Sequence, residues 1–251
     1  MNAERMQRVA TNVGSRADRS LGTRLLLSGT AASVAAVPLS VLTALVASCS
    51  DTLHTVDTAI SRAGQGCVRQ RPGLARALRA ISVAGHPNVL RVATGGLIVL
   101  MRRRGARRRA AWLAATMTVG SALGPVLKEI VARARPVFQD PVMTAPGYSF
   151  PSGHALNSMV FAGCLVLLGH GPTRGHPGRR VALLVGATSG VLVIGADRVG
   201  LGVHYSSDVV AGWLIGVGTI AVTTLGFEGR RRRIGLRPSD PSTGLDPDRS
   251  V

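Results

Sequence analysis

Long runs of Ala, Val, Leu, Ile and Gly, broken by short clusters of arginine, recur along this chain, and that is how a polypeptide crossing a bilayer several times is punctuated. Residues 25–48 form the first run, interrupted only by small polar residues and Pro38. Residues 110–132, 155–168, 181–196 and 206–227 repeat the pattern. Residues 89–101 are a shorter run that needs the preceding residues to complete a span, since a helix crosses the hydrocarbon core in about 20 residues. Only 17% of the chain is charged, and 46% is hydrophobic. The predicted fold class is all-α, an integral membrane bundle of six transmembrane helices. The length of the first run argues against a cleaved signal peptide, although Val46-Ala47-Ser48-Cys49 distantly resembles a lipoprotein cleavage box.

The rest of the chain is ordered around those spans. Residues 1–24 read as a basic cytoplasmic tail, 25–228 as the membrane domain, and 229–251 as a tail that is first Arg-rich, then rich in Pro, Asp and Ser, and disordered. Residues 50–72 are polar. Leu74, Leu78 and Ile81 follow at helical spacing, with Arg76 and Arg79 on other faces, as in an interfacial amphipathic helix or an ordinary loop helix.

A formal charge of +18 invites a nucleic-acid partner, but aromatic stacking platforms make up 3% of the chain and no groove-reading motif is present. The arginines explain the charge by position. Arg102, Arg103 and Arg104, with Arg107, Arg108 and Arg109, lie between two apolar runs, and Arg230 to Arg233 follow the last. Such clusters hold loops in the cytoplasm and attract anionic lipid headgroups. With six spans both termini share that side, together with loops 101–109 and 170–180. Loops 133–153 and 197–205 then face outward, as does the Arg-bearing segment 50–85, against the trend. Cys49, Cys67 and Cys164 have no paired zinc spacing and are too few for a disulfide scaffold. A Cys49–Cys67 bridge and two free thiols both remain open.

Ionisable groups near a membrane interior are functional candidates, and here they converge on the outward side. Arginine supplies 29 of the 30 basic residues, so the one lysine, Lys128, stands out. Lys128 and Arg135 are two helical turns apart and share a face if the helix continues; snorkelling to headgroups is the alternative for either. In Phe150-Pro151-Ser152-Gly153-His154, Ser152 caps the next helix and leaves its free N–H groups pointing at an anion such as phosphate, or it is a bland cap. Arg198 and His204 bracket a tight loop. Asp208 follows four residues later, where on a helix its carboxylate reaches one imidazole nitrogen and leaves the other free to attack.

Taken together, Lys128 with Arg135-Pro136, then Pro151-Ser152-Gly153-His154, then Arg198, His204 and Asp208 form a three-part pattern that resembles the type 2 phosphatidic acid phosphatase superfamily. Gly202-Val203-His204-Tyr205, Ser207-Asp208 and Ala211-Gly212 extend the resemblance, which covers roughly residues 86–226. It implies a metal-independent phosphohydrolase with a six-helix core, no cofactor, and an active site at the extracytoplasmic helix ends. By motif position, Lys128, Arg135 and Arg198 hold the phosphate, with hydrogen bonds from Ser152 and the Gly153 backbone. His204 attacks phosphorus to give a phosphohistidine while Asp208 fixes its tautomer. His154 protonates the leaving oxygen and then activates water. Three cations and a helix N-terminus suit the charge of phosphoryl transfer, and an imidazole titrating near 6.5 can serve as acid and base near neutrality. Two positions depart from the family pattern. Asp197 replaces the usual Ser before Arg198 and repels phosphate unless it pairs with Arg198 or faces solvent. The first motif reads Ala-Arg-Pro, with Arg133 nearby and without an assigned role.

A site at that depth favours a membrane-anchored substrate. Undecaprenyl diphosphate is the first choice, with phosphatidic acid and phosphatidylglycerol phosphate as the others that the resemblance allows. Vanadium haloperoxidases share the pattern, but they resemble soluble helical proteins. An anion transporter or channel is the rival of a different class, and it leaves the His204–Asp208 spacing unexplained.

Overall fold

A computed structural model describes residues 29–173 and 175–233; the expected tail over 1–24 lies outside them, as do residues 234–251 of the tail expected over 229–251. Among the described residues the secondary structure is helical: α1 (Gly29–Ala47), α2 (Asp51–Arg69), α3 (Pro72–Ala84), α4 (Pro87–Arg103), α5 (Arg107–Val131), α6 (Gly153–Gly169), α7 (Pro177–Gly200) and α8 (Ser206–Arg233). Proline opens α3, α4 and α7, where its missing N–H costs nothing. His86 caps α4 by accepting from Asn88 N–H at 3.2 Å. Helix α8 runs on to Arg233, into the segment expected to be a disordered tail.

Helices α1, α5, α7 and α8 are long and apolar enough to cross a membrane, and α3 with α4 makes a fifth such unit bent by 44°. The short run at 89–101 therefore gains its missing length across a bend. Helix α6 is apolar but has only 17 residues. Valines 34, 37, 41, 92, 185 and 222 project outward at more than half exposure, as lipid-facing side chains do.

Most of the polar segment 50–72, for which the sequence suggests no element, is helix α2. Asp57, Ser61, Gln65 and Val68 form the buried stripe of α2, while Val56 and Ile60 face out. The amphipathic pattern is inverted, with the polar face inward. Cys49 and Cys67 are exposed free thiols and Cys164 is buried.

Helix α6 is the central post, packed against α4, α5, α7 and α8. Its Leu156, Val160 and Cys164 meet Trp112, Leu113 and Met117 of α5 and Ile215 of α8 in the main apolar cluster. Glycines set the spacing to α8. A Cβ on Gly212 would lie 2.7 Å from the Ser152 carbonyl oxygen, and one on Gly216 would lie 2.7 Å from Met159. This is the small-xxx-small packing by which membrane helices approach closely, since lipid supplies no hydrophobic drive to join them. It fixes direction as well: α8 begins beside the start of α6. Gly120 of α5 faces Val160, Gly169 of α6 faces Leu183, and Gly195 of α7 faces Trp213, so α5 and α7 run antiparallel to α6 and α8. The C-termini of α5 and α7 and the N-termini of α6 and α8 thus meet at one end of the bundle. The Arg-rich turn between α4 and α5 lies at the other, where Arg108 reaches the Phe227 carbonyl.

A methyl group at Gly212 is therefore expected to cost about 1–3 kcal/mol through overpacking against backbone. Gly218, with open space around it, serves as control. Thermal unfolding in detergent should show Gly212→Ala well below wild type and Gly218→Ala close to it; equal midpoints would contradict the packing.

Candidate active site

Helix α5 stops at Ala132, which takes a left-handed conformation (φ 49°), and the chain leaves the bundle axis there. Lys128 and Arg135 consequently do not share a helix face. They converge by another route, because both grip the strip that precedes α6. Lys128 Nζ donates to the Tyr148 carbonyl and, at 3.4 Å, to that of Ser149. Arg135 donates to Gly147 O at 2.9 Å, Pro146 O at 3.1 Å and Val203 O at 2.6 Å.

Ser152 is the N-cap of α6, accepting from Ala155 N–H at 3.5 Å, and its own N–H donates to Asp208 O at 2.9 Å. Gly153 opens the helix and faces empty space. The first N–H groups of a helix have no partners within it, so this end presents donors to an approaching anion. His154 is held between Ser82 O, 3.2 Å from its Nε2, and the ring of His86, met edge-on at 5.4 Å between centroids. Arg198 and His204 lie within its electrostatic reach.

His204 lies in the turn between α7 and α8, not on a helix as the spacing suggested. Tyr205 is the residue before α8, and Asp208, in the first turn, reaches back to accept from Tyr205 N–H at 2.9 Å, one arm of a capping box. The same oxygen, Oδ2, lies 3.4 Å from His204 Nδ1, an ion-pair distance rather than a tight hydrogen bond. The other ring nitrogen, Nε2, faces Arg135 Nη1 at 3.2 Å. One nitrogen is oriented by a carboxylate and the other looks toward a cation that would bind an anion. Burial pushes the His204 pKa down to about 4; Asp208 opposes the shift, while Arg135 and Lys128 add to it. The ring is thus mostly neutral near neutrality, with the Nε2 lone pair facing the Arg135 N–H.

Asp197 resolves one departure from the family pattern. Its Oδ2 accepts from both Nε and Nη2 of Arg198, so of the alternatives the sequence leaves open the carboxylate takes pairing with Arg198. The second oxygen, Oδ1, is buried without a partner.

The residue that sequence reasoning left without a role is Arg133. It donates to Asp208 Oδ1 at 2.7 Å, to Ser207 Oγ at 2.7 Å and to Asp57 Oδ2 at 2.8 Å, and its guanidinium lies 4.3 Å from the Tyr205 ring centroid. Burial alone would lower its pKa, but Asp208 and Asp57 outweigh it and raise the value. For Asp57, burial pulls upward and the hydrogen bonds from Ser207, Arg133 and Ser206 win, holding it below the ordinary carboxylate value. The sequence signals were slight: an Arg two positions before Arg135, and an Asp on a polar helical stripe.

The PAP2 superfamily pattern matches residues 109–232, which contain all three motif groups. A decaprenylphosphoryl-5-phosphoribose phosphatase of Mycobacterium tuberculosis is 30% identical over 190 residues, covering 70% of this chain and 93% of that protein. The chain belongs to the PAP2 superfamily. Phosphatidylglycerophosphatase B of Bacillus subtilis is 34% identical over 97 residues, 38% of this chain; there the match spans about half the relative's length, 46%. In fold, the chain is similar to a crystal structure of a transmembrane PAP2-type phosphatidylglycerolphosphate phosphatase from Bacillus subtilis, with a TM-score of 0.61 and 25% identity over 77% of this chain and 96% of that one. With several apolar helices of spanning length, this PAP2 protein is a multi-pass membrane protein.

The burial of His204 is testable directly. In protein labelled with ¹⁵N-histidine, the ring resonances of His204 should remain those of a neutral imidazole on acidification until about pH 4. A midpoint near the ordinary value of about 6.5 would contradict the site described.

Proposed function

We propose that this PAP2 protein is a membrane-bound, metal-independent phosphohydrolase that removes phosphate from a lipid phosphate or diphosphate through a phosphohistidine. The observation that carries the reading is the orientation of His204, with Nδ1 toward Asp208 and Nε2 3.2 Å from Arg135 Nη1. A phosphate oxygen accepting from Arg135 brings its phosphorus beside the attacking nitrogen.

In the first step the Nε2 lone pair forms the N–P bond as the P–O bond to the leaving group breaks, and Asp208 stabilises the proton retained on Nδ1. His154 donates a proton to the departing oxygen. In the second step His154 removes a proton from water, whose oxygen attacks the phosphohistidine and restores His204. Lys128, Arg135, Arg198 and the N-terminus of α6 at Ser152 and Gly153 stabilise the charge on the equatorial oxygens. Arg135 also borders a cavity of 230 Å³ lined by Phe138, Met143, Thr144 and Val203, which gives the group beyond the phosphate a place to lie.

Six crossings, with α6 as the fourth, follow from counting α6 and the bent α3–α4 unit beside the four long helices. The Arg-rich turns at the opposite end make that end cytoplasmic and the site extracytoplasmic. On this reading 25–228 form one catalytic membrane domain, flanked by basic tails that meet anionic headgroups. A substrate delivered by lateral diffusion suits such a site. Polyprenyl-linked phosphates are the favoured class, in keeping with the relative matched over most of its length, which acts on a decaprenyl-linked phosphosugar. Undecaprenyl diphosphate and phosphatidic acid are the substrates to compare first.

Purified protein is expected to release phosphate from undecaprenyl diphosphate faster than from phosphatidic acid with chelator present, and His204→Ala to abolish release. Activity persisting in that variant would remove the nucleophile. Asp197→Ser frees the Arg198 fork and should tighten inhibition by inorganic phosphate roughly tenfold, the worth of one charge-assisted hydrogen bond of about 1.5 kcal/mol. An unchanged inhibition constant would mean that Asp197 does not compete for Arg198.

A further inference from the structure

Asp57 belongs to none of the three motifs and lies outside residues 109–232, yet it is 1% exposed and both its oxygens are engaged. Oδ1 accepts from Ser206 Oγ at 2.7 Å and from the Ser207 N–H at 3.0 Å. Oδ2 accepts from the Ser207 hydroxyl and, at 2.8 Å, from Arg133 Nη2. A carboxylate is costly to bury, and one kept at such a depth is paired and hydrogen-bonded. What Asp57 pairs with is the start of α8 and Arg133.

Arg133 carries the contact onward. While Nη2 holds Asp57, Nη1 holds Asp208 Oδ1 at 2.7 Å, and the guanidinium lies against the Tyr205 ring, which itself meets His54 of α2 edge-on at 5.9 Å. The effect on Asp208 is a division of labour between its oxygens. Oδ1 is taken by Arg133, so Oδ2 is the oxygen presented to Tyr205 N–H and His204 Nδ1. Only the backbone N–H of Tyr205 would otherwise fix the plane of that carboxylate. A lysine at 133 would supply charge without the planar fork that grips two carboxylates at once.

We propose that Asp57 and Arg133 are positioning residues for the His204–Asp208 pair, with α2 fixing the Asp208 carboxylate and, through it, the orientation and tautomer of the His204 ring. The inference rests on the phosphohistidine reading above, and it gives α2 a part in the reaction.

The test is a double-mutant cycle on the full chain in detergent, with undecaprenyl diphosphate and phosphatidic acid as substrates. Asp57→Asn and Arg133→Lys are each expected to lower kcat about ten- to a hundredfold, as loss of a group orienting a ligand or catalytic side chain does, with KM within about twofold of wild type. Introduced into Asp208→Asn protein, the same changes should cause little further loss, because the residue they act through is already impaired. Ser206→Ala removes one donor to Asp57 while leaving both charges paired, and it carries the same comparison if Asp57→Asn does not fold. Wild-type kcat in folded Asp57→Asn, or losses that multiply fully in the Asp208→Asn background, would overturn the inference while leaving the phosphohistidine reading intact. Absence of phosphate release by wild type from both lipids would overturn that reading, and the inference with it.

Discussion

The site is organised around the buried carboxylate of Asp208. Its two oxygens act separately, since Oδ1 receives Arg133 while Oδ2 receives the Tyr205 N–H and faces His204. Its position in the first turn of α8 lets one side chain cap the helix and orient the imidazole, and its carbonyl anchors the Ser152 N–H at the mouth of α6. Moving Asp208 would disturb a helix start, a ring orientation and the junction of two helices together. The glycines of α8 serve the same geometry, since Gly212 lets that helix approach the Ser152 carbonyl closely enough for the carbonyl of Asp208 to reach its mark.

Four cations gather at this end of the bundle, and their partners differentiate them. Arg133 is balanced by two carboxylates and Arg198 by Asp197, whereas Lys128 and Arg135 bind backbone carbonyls of the strip before α6. A carbonyl dipole compensates a full charge less than a carboxylate does. The excess positive potential is therefore concentrated at Lys128 and Arg135, the second of which lies 3.2 Å from His204 Nε2. The loop carrying Pro146 and Gly147 is in turn tied to α2 through Gln65, whose amide donates to Asp140 O at 2.7 Å, and to α3 through Arg79, which donates to Val142 O at 2.8 Å.

Much of this arrangement is legible in the amino-acid sequence. Apolar runs and arginine clusters mark the membrane helices, and motif spacing locates His204, Asp208, His154, Arg198 and Ser152 at one end. The departures have physical causes. Lys128 and Arg135 do meet, but a left-handed residue at Ala132 ends the helix that was to align them, and nothing in an Ala side chain announces that conformation. Helix α2 is hidden because hydrophobic periodicity is the usual signal of a helix, and here the inward stripe is Asp57, Ser61 and Gln65. Arg133 gains no role from the sequence because its partners lie 75 and 76 residues away in opposite directions along the chain. Its environment is a tertiary fact that no local spacing encodes.

The contact between Asp57 and Ser207 closes a loop of 150 residues. During synthesis α2 emerges early, and its polar stripe meets Arg133 and Asp140 only after α5 is made and the Ser206 and Ser207 donors to Asp57 only with the last helix. Because α2 is not among the helices apolar enough to cross, Asp57 can stay hydrated through that interval instead of being stranded in hydrocarbon. A nascent or truncated chain lacking α8 has its apolar helices but no assembled polar centre. The contacts from α2 to Ser206 and Ser207 therefore need the last helix in place, so the polar centre is complete only when α8 has been made.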